Sequence, residues 1–240
     1  VSSLLTVTQL RRTYGTAVAL DGLDLHLDAG ECVALLGHNG SGKTTALTAI
    51  AGLVPPTSGT VRVTGADPFT EPEATTARRA LAYVSDSPVF YADMTVEEHI
   101  ELTAVGHGLG ERLDEDTFDR RLGQIIDQFG LDAHRDHVPE ELSAGLQQRT
   151  QLACAFIRPF KVLVLDEPVL RLDPAAQSLL AHRLDRTRNR GAAVLLSTHS
   201  PAFARQLADR VVLLEHGHVV AEGDWDVIDA SPEAAELGLT

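Results

Sequence analysis

The octapeptide GHNGSGKT, residues 37–44, places the tightest constraint on how this chain can fold. It fits the pattern G-x-x-x-x-G-K-[ST]. It also lies between an apolar run, CVALL (residues 32–36), and a segment of helical periodicity over residues 44–53. Glycines let backbone N–H groups approach an anion closely, and a helix start adds positive partial charge. Strand, glycine-rich turn and helix in succession therefore read as a cradle for nucleotide phosphates. Lys43 would reach the β- and γ-phosphates, and the Thr44 hydroxyl would coordinate Mg²⁺. The expected nucleotide contacts are Gly37, Asn39, Gly40, Ser41, Gly42, Lys43, Thr44 and Thr45.

Two more short apolar runs, VLVL (162–165) and AAVLL (192–196), are bounded by Gly, Asp or Pro. Such runs predict strands buried on both faces of a parallel sheet. A helical pattern over 175–190 follows the second of the three runs, and strand-then-helix alternation argues for an α/β layered fold. Residues 4–28 instead alternate apolar and polar around Tyr14 and Gly15. That pattern predicts antiparallel strands, as do residues 210–222 with a turn at residues 216–218. Helical spacing over 96–105, 118–129 and 143–157, with no strong strand between, predicts a helical subdomain at 88–160 inserted into a core of 1–87 and 161–240. The acidic triplet Asp114, Glu115 and Asp116 reads as the start of a surface helix.

The run at 162–165 ends in Asp166 and Glu167, and a buried strand can deliver both carboxylates beside bound phosphates. Asp166 would hold Mg²⁺ and Glu167 would orient and deprotonate the attacking water. His199 lies just past the third run. Ligands of open α/β sheets bind outside the carboxyl ends of strands, so His199 would donate to the γ-phosphate or hold the water. His134 and His137 fall in a polar loop and read as surface residues.

The formal net charge of −14 opposes nucleic-acid binding, which depends on basic groups neutralising phosphates. Cys32 and Cys154 sit in apolar runs without metal-ligand spacing and read as small buried hydrophobes. No apolar run approaches the roughly 18–20 residues of a spanning helix, and the N-terminus has no signal-peptide pattern. A soluble cytoplasmic protein is expected, one that reaches a membrane only through a partner.

Taken in order, the phosphate loop, the helical insertion, residues 142–149 (LSAGLQQR), Asp166 with Glu167, Leu172 with Asp173, and His199 resemble the ATP-binding-cassette (ABC) ATPases of ABC transporters. The resemblance covers essentially the whole chain. It implies a P-loop NTPase (RecA-like) α/β core with an N-terminal antiparallel β subdomain and an inserted α-helical subdomain. It also implies ATP and Mg²⁺ as cofactors, a transmembrane permease as partner, and a second cassette, an identical chain in preference to a different one. Two such cassettes sandwich two ATP molecules head to tail. By the same resemblance Tyr14 stacks on adenine, Ser143 and Gly145 touch the partner's γ-phosphate, His199 is the switch histidine, and Asp173 belongs to the loop communicating across the dimer.

Some positions depart from the family pattern. Ala144 and Leu146 replace Gly and Gln of the signature. Asp86 stands where a glutamine is usual and is expected to bind Mg²⁺ or its water. Leu170 and Arg171 replace Ser and Gly before Leu172; Arg171 either pairs with an acidic group across the seam or favours a nonidentical partner. The stretch around Asp86, with EHIELTA at 98–104, resembles exporter ATPases, the Ecs type and drug-exporter type above all. An exporter motor at the inner face of the cell membrane is therefore expected. The alternatives are an importer ATPase and a catalytically weak regulatory subunit.

Overall fold

The computed structural model describes residues 3–236, which divide into two compact units. The first comprises the chain up to Tyr83, Phe160–Pro168 and the chain from Ala175 onward; the second comprises Val84–Pro159 and Val169–Pro174. The division falls at 83/84 and 159/160, where the sequence suggested 87/88 and 160/161. The segment Val169–Pro174, read from sequence as core, clusters with the helices.

In chain order the elements are β1 (Leu5–Tyr14), β2 (Ala17–Leu27), β3 (Cys32–Leu36), α1 (Lys43–Ile50), β4 (Ser58–Val63), α2 (Glu73–Ala80), β5 (Leu81–Val84), α3 (Val96–Gly106), α4 (Leu109–Arg112), α5 (Glu115–Gln128), α6 (Ala144–Ile157), β6 (Val162–Asp166), α7 (Pro174–Arg188), β7 (Ala193–Ser197), α8 (Pro201–Arg205), β8 (Arg210–Glu215), β9 (His218–Gly223), α9 (Trp225–Asp229) and α10 (Pro232–Glu236). One sheet has the order β2-β1-β4 and the other β5-β6-β7-β3-β8-β9. In the larger sheet β3 pairs in parallel with β7 and β8, β6 pairs in parallel with β7, and β8 and β9 form an antiparallel hairpin.

Every residue of β3, β6 and β7 is buried. That is why these strands carry continuous apolar runs, whereas β1 alternates. The alternation of β1 slips at Gln9, whose φ is 47°. The register shifts between Val7 and Leu10, and Leu10 rather than Gln9 turns inward. Leu5, Leu20, Leu35, Leu47, Val164 and Leu195 share one core in this unit. Each buried Leu removes enough apolar surface to stabilise the fold by about 2 kcal/mol.

The helical unit is built on well-capped helices. Thr95 and Glu98 form a reciprocal capping box at the start of α3. Asp114 caps α5 through the Thr117 amide, with Glu115 and Asp116 in the first turn, as the acidic triplet led us to expect. Arg121 Nε and Nη2 both donate to the Ile157 carbonyl, at 2.8 and 2.6 Å, and so close the far end of α6. Among the described residues no helix is long and apolar enough to cross a membrane.

Candidate functional site

The loop between β3 and α1 folds tightly around its own lysine. Lys43 is buried, and its Nζ donates to the carbonyls of Gly37 at 2.7 Å and His38 at 3.1 Å. Two glycines make this curl possible. A Cβ on Gly37 (φ 150°) would stand 2.2 Å from the Leu214 carbonyl oxygen, and one on Gly42 (φ 108°) would stand 2.6 Å from that of Ala19. Gly42 is the N-cap of α1, yet no side chain caps the helix and no acidic residue lies in its first turn. The helix start therefore keeps its positive end for an incoming anion. Ser41 Oγ is buried without a hydrogen-bond partner among the described residues, a group that a bound phosphate would satisfy. Asn39, Gly40 and Thr44 are exposed and Thr45 is half-buried.

The register of β6 on β7 sets Asp166 opposite Ser197. Asp166 is fully buried and accepts a short hydrogen bond from Ser197 Oγ. The same hydroxyl accepts from the Glu167 amide at 3.0 Å. Ser197 thus ties together the two consecutive acids; sequence reading passed over it. Glu167 has φ 45°, a conformation a bulky side chain holds only when its surroundings fix it. Its Oε2 accepts from His199 Nδ1 at 2.8 Å and from the His199 amide at 3.2 Å. An ionised carboxylate only accepts, so the proton in this bond sits on Nδ1. Burial pulls the Lys43 ammonium below the usual lysine range, against the attraction of Glu167 and Asp166. One cation and two carboxylates thus lie in mutual electrostatic reach at the strand ends.

Tyr14 ends β1 and is 48% exposed, so it is not a piece of hairpin core. The Arg12 guanidinium covers it, 4.6 Å from the ring centroid.

The remaining predicted residues belong to the helical unit. Ser143 is the N-cap of α6, its Oγ accepting from the Leu146 amide at 3.3 Å. The replacement of glutamine by Leu146 leaves that amide in use. A Cβ on Gly145 would lie 3.0 Å from the Arg171 carbonyl oxygen. The absence of a side chain at Gly145 leaves room for that carbonyl. Arg149 Nη2 pairs with Asp173 Oδ2 at 2.7 Å, and the half-buried Arg171 side chain makes no hydrogen bond or ion pair among the described residues. Asp86 is half-buried, beside Ser85, whose backbone and hydroxyl are both bound by the Gln151 side-chain amide. Cys32 is buried as expected, whereas Cys154 is partly exposed as a residue. Burial still pushes both thiols up to about 12.

The structure thus joins Lys43, Asp166, Glu167 and His199 in the first unit, at the carboxyl ends of β3, β6 and β7, and adds Ser197 to them. A fold and site of this kind define a nucleotide-binding α/β ATPase core. Residues 20–170 match the family described as ABC transporter, and the chain belongs to that family, as an ATP-binding ATPase subunit. It is 34% identical over 221 residues to the ABC-type transporter ATP-binding protein EcsA of Bacillus subtilis, covering 92% of this chain and 87% of that one. It is 35% identical over 220 residues to the Nod factor export ATP-binding protein I of Sinorhizobium fredii, covering 90% of this chain and 62% of that one. Among solved structures it is similar to the dimeric cassette MJ0796 in a post-hydrolysis state bound to ADP and Pi. The TM-score is 0.82 at 26% identity, covering 92% of this chain and 98% of that one.

Proposed function

We propose that the chain is the motor of an exporter, in which ATP closes a dimer of two identical cassettes and hydrolysis reopens it, driving a separate transmembrane subunit. The observation that carries this reading is the Glu167–His199 pair held beside Lys43 and Asp166. Glu167 accepts a proton from the attacking water while His199 holds its carboxylate in place. Lys43 and the amides of the α1 start bind the phosphates, with Gly37, Asn39, Gly40, Ser41, Gly42, Thr44 and Thr45 around them. Tyr14 stacks on adenine, and Ser143 and Gly145 face the γ-phosphate held by the partner cassette. Thr44 and Asp166, whose buried Oδ2 has no hydrogen-bond partner among the side chains of the first unit, would hold Mg²⁺, which supplies charge neutralisation at the phosphate oxygens.

Export is supported by the similarity to the Nod factor export relative. A transmembrane partner is supported by the loop before α3. Val89 is 90% and Tyr91 65% exposed. His99 holds that loop in shape: its Nε2 accepts from the Tyr91 amide at 2.9 Å and its Nδ1 donates to the Thr95 carbonyl at 2.7 Å. Bound there, the protein works at the inner face of the cell membrane. Purification from native membranes tests the reading. A multispanning membrane protein that co-elutes and raises ATP turnover is expected; a chain that elutes alone, with turnover indifferent to membrane extract, overturns it.

A further inference from the structure

We infer that Arg149 is a positioning residue for ATP hydrolysis, acting through its ion pair with Asp173. The chain leaves Glu167 through Pro168 into Val169–Pro174, and this segment packs on the first turns of α6 by two independent contacts. Arg149 Nη2 lies 2.7 Å from Asp173 Oδ2. The Arg171 carbonyl oxygen occupies the space that a side chain on Gly145 would need. Within the segment Val169 and Leu172 are buried, and the Leu172 amide donates to the Val169 carbonyl at 3.1 Å, so it is a compact turn.

The unusual backbone of Glu167 gives this turn its importance. A glutamate at φ 45° reverts to a commoner conformation unless the chain is fixed on both sides of it. On the N-terminal side Ser197 holds Asp166 and the Glu167 amide. On the C-terminal side the chain runs directly into the turn that Arg149 and Gly145 secure. The ion pair is itself half-exposed, with side chains 29% and 55% accessible, so it adds little to stability. Its effect is to fix position, and a small misplacement of a reacting group is costly in rate.

This role rests on Glu167 acting as the base, so the test includes that residue. For the full chain, ATP turnover, KM and melting temperature are measured for Arg149→Ala, Asp173→Asn, the double variant, Arg149→Lys and Glu167→Gln. The expected result is a fall in kcat of about tenfold for either single variant. KM and melting temperature stay near wild type, the double variant is no worse than the singles, and Arg149→Lys recovers most of the rate. Additive losses, or wild-type kcat in Arg149→Ala beside an inactive Glu167→Gln, overturn the positioning role. An active Glu167→Gln overturns instead the assignment of the base. Should Arg149→Ala melt early, Asp173→Asn removes the same pair and decides the question.

Discussion

Ser197 Oγ bonds to both members of the acidic pair at once, donating to the Asp166 carboxylate and accepting from the Glu167 amide at 3.0 Å. Two adjacent acids with different tasks are thereby locked to one buried hydroxyl on the neighbouring strand.

Ser197→Ala is therefore expected to cost about 1–2 kcal/mol of stability, because buried groups lose a partner. Turnover should fall with it while nucleotide binding persists. Thermal melts and phosphate-release assays on the same preparation check this; an unchanged melting temperature would show that the hydroxyl is dispensable.

Two loop glycines separate steric clash from backbone strain. In Gly37→Ala the new methyl would stand 2.2 Å from the Leu214 carbonyl oxygen, so the loop must open. Loss of nucleotide binding and a destabilisation of about 2 kcal/mol or more are expected. At Gly40 (φ 81°) nothing lies within 4 Å of an added Cβ. Gly40→Ala should cost only about 1 kcal/mol of backbone strain and retain binding. Nucleotide titration of the two variants would contradict the geometry if they behaved alike.

Both thiols are pushed up to about 12 by burial. At pH 8 only about one thiol in ten thousand is then the reactive thiolate. Native protein should react with a disulfide reagent far more slowly than unfolded protein. Rapid modification of either Cys32 or Cys154 in the native chain would place that thiol in a more open environment.

The sheet core was legible because β3, β6 and β7 are buried on both faces and so leave unbroken apolar runs. β4 and α2 were not. Only Val61 and Val63 of β4 are buried behind three exposed residues, and α2 buries just two alanines. The same contrast holds at the site. Lys43 and Glu167 lie in motifs that the chain spells out locally. Ser197 carries no spacing signal, and it meets Asp166 only through the register of β6 on β7. Arg149 and Asp173 are 24 residues apart, and their pairing is a product of tertiary packing. At Gly145 the sequence offered only the resemblance to a residue that touches a partner's γ-phosphate. That the missing side chain also makes room for the Arg171 carbonyl was visible only once the chain was folded.

The account depends most on Glu167 as the group that deprotonates water, and one comparison tests it directly. ATP turnover by Glu167→Gln is measured against wild type at matched nucleotide occupancy with Mg²⁺ present. Glutamine keeps the size of the side chain and removes its basicity. Binding should stay near wild type while turnover falls by about a hundredfold or more. Turnover equal to wild type at equal occupancy would contradict the account.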